Sequence, residues 1–271
     1  MKRILLILLC LSLSLGAAAQ IDTTGRYAGL DSLLTQFYTA LEREETDVKN
    51  TEFDTLIGSC RDSLTRQHVA LSVFDHYRFS RIMGEEAVAV HIYDEWIATE
   101  KVQTRSEFEL FEAERFALEN RKTLLGMTAP RITLKKVCGG KKTIPDDGRI
   151  SVLFFYSPSC AKCRLEAEVL PSVLAEVQVP MNFYAVNTDT DRRAWKAYRK
   201  AIKTSNRKVR IIHLWDPEME SSMLIDYGIF STPKVFVAME DGEIIGRRLE
   251  MDNLMQIIQY INMLYGEEKE D

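Results

Sequence analysis

Ile150-Ser151-Val152-Leu153-Phe154-Phe155-Tyr156 is an apolar run broken only by Ser151. A strand of this kind has no face to offer to water, so it belongs in the middle of a sheet covered on both sides. Around it, strand-like and helix-like stretches alternate. A helix is expected over 161–177, a strand over 182–186, a helix over 192–202, a strand over 209–214 and a short helix over 218–226. Strands over 234–238 and 243–248 flank the turn dipeptide Asp241-Gly242, the signature of an antiparallel hairpin, and a final helix covers 252–264. Upstream, residues 131–137 alternate apolar and polar like a half-buried strand, and Cys138-Gly139-Gly140-Lys141 makes a turn. This order implies an α/β domain with a mixed central sheet flanked by helices.

Before Gly126 the pattern differs. Residues 27–125 contain almost no Gly or Pro, and apolar residues recur at helical spacing: Tyr27, Leu30, Leu33, Leu34, Phe37, Tyr38 and Leu41 form one stripe. Ala87, Val88, His91, Ile92, Glu95 and Trp96 suggest a second helix, and Phe108, Phe111, Ala113, Phe116, Leu118 and Leu125 continue the pattern. An all-α region of four or five helices is expected, with its aromatics in the core and charge runs such as Glu42-Arg43-Glu44-Glu45 on solvated faces.

The first nineteen residues read as a third element. Met1-Lys2-Arg3 is a basic start, an apolar run extends from Ile4 to Leu15, and Ala17-Ala18-Ala19 closes it. That is the pattern of a cleavable secretory signal peptide; the apolar run falls short of the roughly 20 residues of a membrane span. The expected organisation is therefore a signal peptide over 1–19, a helical domain over 20–125 and an α/β domain over 126–271, in a periplasmic protein. A hydrophobic share of 46% with 28% charged residues excludes wholesale disorder and a polytopic membrane protein. The net charge of −5 gives no reason to expect nucleic acid or anionic lipid as a partner. Five cysteines are too few for a disulfide scaffold, and Cys10 leaves with the signal.

Chemistry concentrates at Cys160-Ala161-Lys162-Cys163, a C-x-x-C that follows the buried strand where a helix begins. Free backbone N–H groups and the positive dipole end of a helix stabilise an anion there. Cys160 is accordingly the exposed, low-pKa nucleophile and Cys163, one turn further in, the buried resolving thiol. Lys162 adds a cation if its side chain turns back. The same pair could instead be a structural disulfide, half of a zinc site or part of a peroxidase centre. The zinc reading wants a second ligand pair, whereas Cys60 and Cys138 are isolated and His68, His76, His91 and His213 show no ligand spacing. The peroxidase reading wants a Thr where Ser157 stands. Ser231-Thr232-Pro233-Lys234 precedes the apolar Val235-Phe236-Val237; a proline opening a sheet strand fits a cis Thr232–Pro233 bond, with a trans turn proline as the default.

Together these residues resemble a known family. Phe155-Tyr156-Ser157-Pro158-Ser159-Cys160-Ala161-Lys162-Cys163, followed about seventy residues later by Thr232-Pro233, is similar to a thioredoxin fold. Gly126-x-x-Ala129-Pro130-x-Ile132-x-Leu134, Cys163-Arg164-x-Glu166, Trp215-Asp216-Pro217 and Tyr227-Gly228-Ile229 resemble the TlpA/ResA-like exported thiol–disulfide oxidoreductases. The resemblance covers about 126–265. It implies Cys160 as nucleophile, Cys163 as resolving cysteine, and a cis Thr232–Pro233 bond presenting backbone groups to the substrate. It also implies that Glu166, below the thiols with a raised pKa, assists proton transfer; as a residue pattern alone, Glu166 is equally an exposed first-turn acid. Ser159 stands where the family commonly has Trp, and Phe154 where cytosolic thioredoxins carry a buried acid.

The function so implied is disulfide exchange with envelope proteins, as a reductant supplied by a membrane thiol donor. No cofactor is expected, since no G-x-G-x-x-G element is present, and no metal. The rival reading is a non-catalytic partner-binding scaffold on the same fold. Cys60 and Cys138 are open, either as unpaired thiols or as a disulfide with each other.

Overall fold

The computed structural model describes residues 25–146 and 148–267, so the expected signal peptide lies outside the described residues. The chain forms two compact units. One runs to Ser80 and includes Glu85–Glu114; the other combines Arg81–Gly84 with the chain from Arg115 onward. Residues 115–125 thus belong with the second unit.

The first unit contains α1 (Ala28–Leu41), α2 (Thr46–Ser59), α3 (Ser63–Arg78), α4 (Glu86–Ile92), which runs on into a π-helical turn (Tyr93–Ile97), and most of α5 (Glu107–Asn120). Asp62 caps α3 by accepting the Thr65 N–H at 2.9 Å. The expected stripe of α1 buries Leu34, Phe37 and Leu41. Phe37 and Tyr77 both meet Phe53 edge-on, at ring separations of 5.6 and 5.3 Å.

Two expectations fail along α5. Phe108 and Phe111 are 72% and 57% exposed rather than core. The helix buries Ala113, Ala117 and Asn120 instead, a stripe at four- and three-residue steps lying across the helix from Phe111. The helix also stops at Asn120 rather than near Leu125. The buried Asn120 side chain accepts a hydrogen bond from Arg247 Nη2 at 2.8 Å, and Arg247 donates also to Thr123 Oγ1 at 3.3 Å.

The second unit is built on a seven-stranded mixed sheet in the order β2-β1-β5-β4-β3-β6-β7, read from β1 (Ile132–Lys136), β2 (Lys141–Ile144), β3 (Ile150–Tyr156), β4 (Met181–Asn187), β5 (Val209–Trp215), β6 (Lys234–Ala238) and β7 (Ile244–Arg247). β3, β4 and β5 are parallel, joined through α6 (Ala161–Ala175) and α7 (Arg192–Tyr198); β1, β2, β6 and β7 pair antiparallel with their neighbours. α8 (Met223–Asp226) and α9 (Met251–Glu267) complete the unit.

Every residue of β3 is buried. Its alternation divides the core: Val152, Phe154 and Tyr156 share one cluster with Leu170 and Leu174 of α6 and Leu254 and Ile258 of α9. Leu153 and Phe155 share the opposite cluster with Tyr184, Leu214, Tyr227 and Phe236. Period two along the strand therefore feeds two layers.

Strand β2 was not expected. The Gly139-Gly140 turn is present, with φ of +87° and +74°, but the chain then returns to pair Ile144 with Ile132. In Lys141-Lys142-Thr143-Ile144 only the last residue is strongly apolar, and a charged edge strand carries little hydrophobic signal. The expected helix over 218–226 shrinks to α8. Asp216 accepts the N–H groups of Glu220 and Ser221 at 3.0 and 2.8 Å and holds the stretch before it as a loop.

The loop that leads into β6 is pinned at Gly228. Its φ is +59°, and a Cβ there would meet the Glu119 carbonyl oxygen at 2.2 Å. Gly228→Ala should therefore cost at least about 2 kcal/mol, through backbone strain and a forced separation of the loop from residue 119. Urea unfolding of the two proteins measures this, and an unchanged midpoint would contradict the close approach.

Candidate redox site

The parallel strands place their C-terminal ends, and the loops that follow, along one edge of the sheet. β3 leads through Ser157-Pro158-Ser159 to Cys160, the N-cap residue of α6. Its φ and ψ are −73° and 121°, and its sulfur accepts the Cys163 N–H at 3.2 Å. A sulfur thus does at this helix start what a Ser or Asp oxygen does elsewhere. The Cys160 thiol lies 3.3 Å from the Thr232 carbonyl oxygen, to which it donates. The Thr232–Pro233 peptide bond is cis, as is Ile144–Pro145.

The two thiols differ in setting. Cys160 is partly exposed, whereas Cys163 is 0% exposed. Burial opposes ionisation of Cys160, but hydrogen bonds from the thiol and N–H of Cys163 outweigh it and hold its pKa below the ordinary thiol range. For Cys163 burial dominates, and with the neighbouring Cys160 it pushes the pKa up to about 12. Of the two sulfurs, Cys160 ionises more readily and Cys163 holds its proton.

Glu166 is on α6 one turn beyond Cys163 and is 7% exposed, so it is no solvated first-turn acid. Its Oε2 is buried without a hydrogen-bond partner among the described residues. Burial raises its pKa to about 7, against the lowering effect of Lys162. Lys162 does not turn back onto the sulfurs; it pairs with Glu250 at 2.7 Å, and both side chains are largely exposed. Phe154 is fully buried and stacks on Tyr156.

Three groups at the site escaped the sequence reading. The Asp189 carboxylate accepts hydrogen bonds from Ser157 Oγ at 3.1 Å and Ser159 Oγ at 3.2 Å, and the two hydroxyls lie 2.6 Å apart. The Asp191 N–H, with the two serines, holds Asp189 below the usual carboxylate range. Tyr198 donates its hydroxyl to the Cys163 carbonyl, and its ring stacks on Tyr156 at 4.8 Å. Trp195 Nε1 donates to the Tyr156 hydroxyl at 3.0 Å. The adjacency of β3 and β4 was the available signal for Asp189, since the loops after neighbouring parallel strands must lie side by side. Nothing in the spacing of Trp195 and Tyr198 marked them.

The remaining two cysteines among the described residues are unpaired. Cys60 is buried in the first unit and Cys138 is exposed in the β1–β2 turn, both as free thiols. Among the described residues no group of three or more His, Cys, Asp or Glu side chains is placed to hold a metal ion, and no helix is long and apolar enough to cross a membrane.

No protein-family model and no curated protein matches the sequence. Among solved structures, a thioredoxin-like protein from Bacteroides caccae aligns over 89% of this chain and 87% of its own, at 11% identity and a TM-score of 0.66. The fold is thioredoxin-like. Because the alignment covers nearly the whole chain, it also takes in helical residues that the sequence resemblance left unmatched. The thioredoxin domain of a thiol-disulfide oxidoreductase from Bacteroides vulgatus aligns with 51% of this chain and 96% of its own, at 21% identity and a TM-score of 0.44. A domain of a possible thiol-disulfide isomerase from Cytophaga hutchinsonii aligns with 54% of this chain and 99% of its own, at 23% identity and a TM-score of 0.45.

Within this thioredoxin-like unit, Glu166 sets a stability signature. Its folded-state pKa of about 7 exceeds its ordinary value of 4.5, so the folded state binds the proton more tightly than the unfolded chain. Stability from this group is full below pH 4.5 and is lost as pH rises through 7, by up to about 3 kcal/mol. Glu166→Gln should remove that loss, so its urea midpoint relative to the parent should rise from pH 4.5 to pH 8. A constant difference across that range would show an ordinary carboxyl.

Proposed function

We propose that the protein is an exported thiol–disulfide oxidoreductase that reduces disulfides of other envelope proteins through Cys160 and Cys163. The observation that carries this reading is the capped thiol. Cys160 Sγ receives the Cys163 N–H at 3.2 Å and lies 3.3 Å from the Thr232 carbonyl, partly exposed and with its pKa lowered. The basic, apolar and small-residue order of 1–19 supports export. The reducing direction rests on the sequence resemblance.

In this mechanism the Cys160 thiolate attacks one sulfur of a target disulfide. The target S–S bond breaks, a mixed disulfide with Cys160 forms, and the released target thiolate takes a proton from water. Cys163 then gives its proton to the Glu166 carboxylate and attacks Cys160 Sγ. The mixed disulfide breaks, a Cys160–Cys163 disulfide forms, and the second target sulfur leaves and is protonated. Two electrons pass to the target, and a membrane thiol donor restores the dithiol by the same exchange in reverse. Thr232 and Pro233 line the approach to Cys160 and present the Thr232 carbonyl to an extended target segment.

The pH behaviour of Glu166 enters the second step. A residue titrating near 7 accepts the Cys163 proton at neutral pH and returns it readily.

Cys160→Ser should lower dithiothreitol-driven insulin reduction at least a hundredfold. Cys163→Ser should keep the first attack and accumulate mixed disulfides on Cys160, visible as adducts on non-reducing gels. Equal inactivity of the parent and Cys160→Ser under sufficient reductant would sink the enzymatic reading and favour the scaffold.

A further inference from the structure

The second unit carries a cavity of about 860 Å³ between the β1–β2 turn and α7, whose lining includes neither thiol. That is within the roughly 300–1,000 Å³ of small-ligand sites. Its lining holds no carboxylate. Lys135 on its rim pairs with Glu218 and with Glu220 at 3.8 Å. Lys136, Lys141, Arg192, Arg193, Lys196 and Arg199 also line it, and none of these six makes an ion pair among the described residues. A chain whose net charge is −5 has therefore gathered seven cations around one concavity, six of them outside any ion pair among the described residues.

That concentration works against the local structure. Arg192 and Lys196 on the seven-residue α7 and Arg199 at its C-cap recur at steps of four and three, where like charges meet and repel. Across the cavity Lys136 and Lys141 flank Cys138-Gly139-Gly140 and bring more of the same sign. Arg199 is anchored over the Trp195 ring at 5.6 Å, and Trp195 stacks on Trp215 at 4.6 Å, so the wall behind the cations is rigid and aromatic. A field converging on a low-dielectric concavity concentrates anions.

We propose that this cavity binds a small anion carrying two or more phosphate groups. Phosphate suits the lining because each group carries up to two charges near pH 7 and accepts from forked guanidinium donors as well as ammonium groups. A single carboxylate or sulfate answers only part of these cations. The glycine turn and α7 bring these cations together around one concavity, which suits a compact ligand carrying several charges.

The test uses inorganic tripolyphosphate and the purified protein in isothermal titration calorimetry at low ionic strength. One-to-one saturable binding is expected, weakening as salt is added. Arg192→Gln with Lys196→Gln, and separately Lys136→Gln with Lys141→Gln, should each weaken it at least about tenfold. These side chains are exposed, and urea midpoints matching the parent would separate lost binding from lost folding. Absence of saturable binding, or binding unchanged in both pairs, would overturn the proposal. So would binding confined to single-stranded DNA or phosphatidylglycerol vesicles with none to tripolyphosphate. None of these outcomes depends on Cys160 or Cys163, so the proposal and the redox reading stand or fall separately.

Discussion

Strand β3 is buried along its whole length on both faces, and the rest of the second unit follows from that condition. Helices or loops must cover each side, which the α6–α9 cluster and the Tyr227–Ile229 segment do. Polar chemistry is excluded from the strand itself and is displaced to its C-terminal end. There the chain leaves the sheet and enters a helix within four residues, so backbone N–H groups lie beside whatever side chain caps that helix. A cysteine in the capping position is placed, by the fold alone, where a negative sulfur is least costly.

The site then depends on a contrast between neighbours. Cys160 and Cys163 share a helical turn, yet one meets N–H donors and partial solvent while the other is fully buried. The contrast is reinforced from outside α6. Tyr198 holds the Cys163 carbonyl, and Asp189 organises both serines that precede Cys160.

Much of this arrangement was legible in the residues, for physical reasons. β3, the parallel strands after it and the Asp241-Gly242 hairpin announce themselves because burial on two faces and turn geometry both leave strong marks on composition. The thiol pair was legible because its context, strand then helix, has a direct electrostatic meaning. β2 was not, since a short edge strand of lysines looks like a loop. The face of α5 was misread because Ala113 and Ala117 make a weaker stripe than Phe108 and Phe111, and aromatic residues do not advertise which way they point. Asp189, Tyr198 and the seven cations around the α7 cavity come together only through the sheet's crossovers, and no local period encodes them. The net charge, a sum over the chain, hid the last of these completely.

The hydrogen bonds of Arg247 bear on how the chain can be divided. This guanidinium is 2% exposed on β7, and acceptors for it come from Asn120 and Thr123. Gly228, in the loop ahead of Thr232, rests against Glu119. A fragment begun at Gly126, where the residue pattern changes, would discard all three of those residues and withdraw support from the sheet edge and from the loop beside Cys160. The thioredoxin-like unit borrows the last turns of the preceding helix, so the boundary visible in the text of the sequence and the boundary at which the protein can be cut are different places.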